Sequence, residues 1–332
     1  MLIRKPAYFD QFRCIASDCP DSCCKEWEVQ VDEKTAARYR SLTGPLGDRL
    51  REILRDEDGE TLMTITEGRC PMWRQDGLCR IQAELGEEAL CKTCREYPRL
   101  THDYGDFIEY GLELSCPEAA RLILNAESAP LLQTRVAGEG AAEYDTEAMM
   151  VLKDTRETAL GLLSDPAAPV GETLALVLLY GCQAQAELDS GEVRPFDPEE
   201  ALLAARELAN AADPGMIPGF FLELELLTEE WEKRLHDPAP APWNARHLAM
   251  ARYLVQRYWL QAVSDYDLYS RVKLVVISCL LVKTLGGDLT ETAQLFSKEV
   301  ENDADNIDAL LDAAYEHPAF TDDKILYMLL AE

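Results

Sequence analysis

Residues 267–285 read DLYSRVKLVVISCLLVKTL, and this stretch decides the fold. Its apolar run, 272–282, is interrupted only by Lys273 and Ser278. A membrane span needs about 20 apolar residues, so the run predicts a helix buried inside a soluble protein. Asp267 stands where a cap would start that helix, and Gly286-Gly287 is placed to end it. Such a helix needs others around it. Residues 146–163 carry apolar side chains at helical intervals, and 170–187 form a second strongly apolar segment. Asp197-Pro198-Glu199-Glu200 opens a further helix with a cap and a proline at its first position. Helices are also expected over 217–235, 245–263, 289–300 and 304–315, with a last one from Thr321. The breaker cluster 237–242, with Pro238, Pro240 and Pro242, reads as a rigid connector. Residues 128–332 are therefore expected to form an acidic α-helical bundle domain.

Residues 1–127 have a different texture. The segment 27–31 alternates like a strand, 61–66 and 107–114 are further short β candidates, and Gly105 marks a turn before the last. Asp32 is a plausible cap for a helix over 33–41, and Pro117 begins one over 117–124. Nine of the eleven cysteines lie here: Cys14, Cys19, Cys23, Cys24, Cys70, Cys79, Cys91, Cys94 and Cys116. An odd count in a long chain, with no apolar stretch after the basic residues of MLIRKPAYFDQF, argues against a signal peptide and a disulfide framework. It points to reduced thiols in the cytoplasm. Cys91-x2-Cys94 is a chelate arm, two intervening residues allowing both sulfurs to face one ion. With Cys79 and the Cys14–Cys24 cluster, it indicates a thiolate-ligated centre. Zinc and a cubane iron–sulfur cluster both accept four cysteines, and spacing does not separate them. The candidate ligands are Cys14, Cys19, Cys23, Cys24, Cys79, Cys91, Cys94 and Cys116. Cys182 and Cys279 sit in apolar helices and read as core. His102 reads as a surface or capping histidine rather than a ligand.

The fold expectation is thus mainly α, with a small irregular α+β cysteine-rich metal module at 1–127 ahead of the bundle. Charge narrows the partners. The net charge is −29; residues 1–125 hold 17 Lys and Arg against 24 Asp and Glu, and residues 126–332 hold 15 against 37. A body this acidic repels phosphate backbones and anionic membranes, and no basic stripe offsets it. It would attract a cationic partner such as a lysine-bearing protein.

Several segments together resemble the flagellin lysine-N-methylase family. They are Cys19-x2-Ser22-Cys23-Cys24-x2-Trp27, Leu90-Cys91-x2-Cys94-x2-Tyr97-Pro98-Arg99 and Ser115-Cys116-Pro117-Glu118 near the N-terminus. Tyr253-Leu254-x2-Arg257-Tyr258, Asp265-x-Asp267-Leu268-x-Ser270-Arg271 and 296–301 (FSKEVE) extend the likeness into the distal half. The resemblance implies transfer of methyl groups from S-adenosylmethionine to lysine side chains of flagellin. It also implies a cysteine-ligated centre, for which a 4Fe-4S cluster is favoured and zinc is the alternative. The chain lacks the Gly-rich loop of methyltransferases built on a doubly wound sheet, so the donor would need a helical pocket. The group at 253–271 is the candidate for it, with Tyr253, Asp265 and Asp267 as catalytic residues and Arg257, Tyr258 and Arg271 as cofactor-binding residues. Against this stands a plain helix junction, in which Asp267 caps a helix and Arg271 closes a salt bridge. Lys298 and Glu299 are weaker candidates, with a solvated helix face as their default. Two other readings remain: a methyltransferase with a different protein acceptor, and a non-catalytic metal or iron–sulfur protein that acts as a binding module.

Overall fold

The computed structural model describes residues 1–25, 28–57, 59–138 and 140–331. Among them helices dominate and the strands form two small sheets, so the protein is mainly α with a small α+β region. Seven strands run in chain order: β1 (Leu2–Pro6), β2 (Val29–Gln30), β3 (Leu54–Glu57), β4 (Glu60–Met63), β5 (Arg99–Asp103), β6 (Phe107–Leu112) and β7 (Leu131–Arg135). One sheet has the order β5-β6-β1-β7 and the other β2-β4-β3. In the larger sheet β1 lies parallel to β6, pairing Leu2 with Phe107, and antiparallel to β7, pairing Leu2 with Arg135.

The stretch 267–285 forms the helix Leu268–Leu285, capped by Asp267 accepting from the Ser270 backbone N–H. Nearly all of its residues are buried. It packs on the helices Val170–Ser190, Ala304–Glu316 and Ala245–Tyr258. The approach to the first of these is close. A Cβ built on Gly181 would stand 2.4 Å from Val272 Cγ1, so this crossing needs a residue without a side chain. Among the described residues, no helix is long and apolar enough to cross a membrane.

Caps fix most helix starts where the sequence places them. Asp32 accepts from Thr35 N–H ahead of Glu33–Ser41, and Asp197 accepts from Glu199 and Glu200 N–H ahead of Pro198–Leu208. Three segments differ from expectation. Residues 217–235 form two helices, Met216–Phe221 and Glu229–His236. The break is held by distant side chains: Glu225 N–H donates to Asn306 Oδ1 and Leu227 N–H to Glu299 Oε2. Those amides are thereby engaged outside a helical ladder. Residues 245–263 change from α to 3₁₀ geometry at Trp259. Residues 289–300 form the α-helix Leu289–Phe296, which widens into a π turn at Ser297–Glu301. The segment 27–31 yields only β2, and Trp27 lies outside the described residues. β1, β3 and β7 carry no clear alternation, and β1 and β7 pair over long sequence distances while β3 forms a hairpin with β4.

Two apolar clusters organise the interior. The larger unites Tyr8, Phe12, Phe107, Leu112 and Ile123 with the helices of the distal part. The smaller gathers Val29, Val31, Tyr39, Leu50, Met72 and Cys91, with Cys24, Cys79 and Cys94 packed against it. Cys279 is buried, as expected of a core cysteine, and Cys182 is half-buried with its sulfur 3.9 Å from Asp322 Oδ2.

Candidate functional site

The π turn shapes the site. A π turn inserts an extra residue into a helix and rotates the residues beyond it, a feature common at functional sites. Here five of the six residues from Lys298 to Asp303 line one cavity of about 580 Å³. The expectation of a solvated face for Lys298 and Glu299 is corrected by this geometry. Glu299 is 1% exposed, and its carboxylate accepts from Leu227 N–H and the Thr228 hydroxyl. The opposite wall comes from the cysteine-rich part, through Cys23, Thr93, Tyr97 and Arg99, and from Glu113 and Ser115 after β6. The cavity thus lies between the cysteine loops and the helical body.

Glu301 organises the floor. Its carboxylate accepts from the hydroxyls of Tyr253 at 3.1 Å and Tyr258 at 3.0 Å, and Arg257 Nη1 lies 3.4 Å away. Arg257 also donates to Tyr253 Oη at 2.7 Å. Burial pushes both tyrosines well above the usual phenol range. Burial works against the Arg257 charge, but Glu301, Tyr253, Tyr258 and Glu113 together outweigh it and raise the guanidinium above its ordinary value. Three predicted residues therefore meet on one carboxylate, with Arg257 reaching the cavity and the tyrosines behind it.

The other three lie elsewhere. Asp267 caps Leu268–Leu285 and accepts from Tyr315 Oη at 2.6 Å. Arg271 donates to Asp265 Oδ2 at 2.8 Å and to the Asp267 carbonyl at 2.5 Å. None of Asp265, Asp267 and Arg271 lines the cavity. Residues that the sequence did not single out take their place: Tyr97, Glu113, Ser115 and Glu301. Ser115 Oγ donates to Glu113 Oε2 at 3.0 Å and stands 3.1 Å from Tyr97 Oη. Their signal was present only as Tyr97, Ser115 and Glu301 within the family-like segments. Acidic side chains are too frequent in this chain for Glu113 to stand out.

The cysteines fall into contacting sets. Cys23 and Cys70 each share a hydrogen bond with Cys24, which lowers both thiols to about 7 and raises that of Cys24. Cys91 and Cys94 form a second pair, in which the shared hydrogen bond lowers Cys91 and raises Cys94. Cys70, absent from the candidate ligands, is buried and belongs with Cys24 and Cys23. Burial pushes Cys79 and Cys116 upward; Cys116 immediately precedes the helix Pro117–Leu124. Cys14 is exposed, with Ala16 N–H donating to its sulfur at 3.4 Å, and Cys19 is half-buried. Among the described residues, no group of three or more His, Cys, Asp and Glu side chains is arranged to hold a metal ion. The donor chemistry nevertheless suits a soft metal or an iron–sulfur cluster: the contacting groups are thiols, in pairs that chelation could close. His102 is half-buried on β5, and burial lowers its pKa.

An ionic clamp joins the cysteine loop to the body. Asp21 accepts from Lys25 Nζ at 2.6 Å, from Gln294 Nε2 at 2.8 Å and from Lys298 Nζ. Burial would raise the Asp21 carboxyl, but Lys25 and Lys298 hold it well below the usual range.

The chain is similar to proteins of Salmonella. It is 34% identical over 140 residues to the flagellar biosynthetic protein FliU of Salmonella muenchen, covering 39% of this chain and 81% of FliU. It is 33% identical over 143 residues to the lysine-N-methylase of Salmonella typhimurium, covering 40% of this chain and 35% of that protein. The lysine-N-methylase of Salmonella choleraesuis matches to the same extent. The chain thus spans about a third of the length of the lysine-N-methylases it matches. No family model and no solved structure matches it.

Proposed function

The chain belongs to the flagellin lysine-N-methylase family, and from that premise we propose that it methylates protein lysine side chains, with S-adenosylmethionine as donor and flagellin as acceptor. The observation that carries this reading is the cavity between Cys23 and the π turn. Six carboxylates line it (Glu96, Glu113, Glu225, Glu299, Glu301 and Asp303) against four cations, Lys25, Arg99, Arg257 and Lys298. That excess favours a cationic side chain. A volume of about 580 Å³ lies within the roughly 300–1,000 Å³ typical of small-molecule sites. Tyr97 and Leu227 provide an aromatic face and an apolar wall, and aromatic faces attract sulfonium and alkylammonium groups.

The roles rest on placement. Glu299 is held by Leu227 N–H and Thr228 Oγ1, so it presents a fixed negative charge beside the bound ammonium. Arg257, fixed by Glu301 and Tyr253, offers a guanidinium to the donor's carboxylate. Cys19, Cys23, Cys24, Cys70, Cys79, Cys91, Cys94 and Cys116 are the residues that would hold an iron–sulfur cluster or zinc. When bound, that centre would brace the cysteine loops and supply a Lewis-acidic docking point beside Cys23.

Anaerobic incubation of the metal-replete protein with flagellin and S-adenosylmethionine, followed by intact-mass spectrometry, tests the proposal. Mass steps of one methyl group, mapping to lysines, are expected. An unchanged flagellin from the same source would exclude it as the acceptor.

A further inference from the structure

A lysine ammonium has no lone pair to attack a methyl carbon, and free lysine holds its proton up to a pH of about 10.4. The site must therefore remove a proton. Among the cavity carboxylates, most are already committed. Glu301 is paired with Arg257 and accepts from two tyrosine hydroxyls. Glu299 accepts from a backbone amide and a hydroxyl, and Asp303 caps the helix Ala304–Glu316. Glu96 and Glu225 are exposed. Glu113 is different: it is half-buried, its Oε2 accepts from Ser115, and its Oε1 accepts no hydrogen bond among the described residues.

We infer that Glu113 is the catalytic residue that takes the proton from the substrate lysine, positioned by Ser115 and connected through it to Tyr97. This rests on the cavity being the lysine site. Glu113 Oε1 accepts one proton from the lysine ammonium. The nitrogen lone pair thus freed forms the N–C bond to the methyl group of a sulfonium donor, and the C–S electron pair leaves on sulfur as a neutral thioether. The product departs as a methylammonium ion, and Glu113 returns its proton to solvent. Ser115 Oγ, itself 3.1 Å from Tyr97 Oη, holds Oε2 and leaves Oε1 to the substrate.

The geometry supports the assignment: Glu113 lines the cavity, is half-buried, and has Oε2 held by Ser115 while Oε1 is left unengaged among the described residues. The charged groups that share the cavity with Glu113 are Glu225, Arg257, Lys298, Glu299, Glu301 and Asp303 from the helical body and Lys25, Glu96 and Arg99 from the cysteine-rich part.

The test uses the full chain, metal-replete, with S-adenosylmethionine and a single-lysine flagellin peptide, in single-turnover methylation from pH 6 to about 10. Glu113→Gln is expected to slow transfer by about 100-fold at neutral pH, a larger loss than any weakening of the peptide Kd. The defect should narrow as pH rises, because the lysine then loses its proton unaided. Glu113→Asp should recover part of the rate. An unchanged rate and pH profile for Glu113→Gln would overturn the role, as would an equal loss at every pH accompanied by weaker peptide binding. No transfer by the wild-type protein would instead overturn the cavity's assignment, and this role with it.

Discussion

At the residue scale, the charges buried in the larger core matter most. Arg156 donates to both carboxylate oxygens of Glu109 at 2.7 Å, and the two residues are 1% and 5% exposed. Arg4 adds a third charge 3.6 Å from Glu109. Breaking such a pair strands a buried charge. Arg156→Ala should therefore lose about 3–5 kcal/mol of stability, read as a lower denaturation midpoint in urea. Burial alone would raise the Glu109 carboxyl, but Arg156 and Arg4 hold it below its ordinary value. Its stabilising contribution is thus complete above the unfolded carboxyl pKa of about 4.3. It is lost as pH falls through the lower folded value. Glu109→Gln should flatten that acid limb; a variant retaining the wild-type pH dependence would contradict this. Glu301 is built on the same logic, with Arg257 and two tyrosines as its partners, but it borders a cavity.

At the element scale, the helix Leu268–Leu285 sets the packing. Gly181 lets the helix Val170–Ser190 reach it, since an added Cβ would meet Val272 at 2.4 Å. Alanine suits a helix better than glycine by about 1 kcal/mol, yet overpacking costs about 1–3 kcal/mol. Gly181→Ala is therefore expected to lower the melting temperature, and a rise would show that the two helices slide apart without cost. Helices with local signals were legible in the sequence. Asp32, Pro117, Asp197 and Asp267 each marked a start that the structure has. Features fixed by distant partners were not. The break within 217–235 depends on Glu299 and Asn306, more than seventy residues away. β1 depends on strands that begin at residues 107 and 131. No window of the sequence holds both halves of such a contact.

At the scale of the whole molecule, the cysteine loops and the helical body meet around the cavity that Glu301 floors, and Asp21 ties them through Lys298 and Gln294. The cysteines and the Tyr253–Arg257–Tyr258 group were legible, because thiols are rare and aromatic residues paired with arginine stand out. Glu113 and Glu301 were not, among 61 acidic residues; only folding selects which carboxylates face inward. On the proposed function, the net charge of −29 would draw a lysine-bearing chain toward the molecule, and the cavity would receive its side chain. Photo-cross-linking locates that side chain directly, using a flagellin peptide whose lysine is replaced by a diazirine-bearing lysine analogue. Adducts on Tyr97, Leu227 or Asn302, reduced by competing unmodified peptide, are expected. Competable adducts confined to the 265–271 region, with none in the cavity, would contradict the placement of the lysine site.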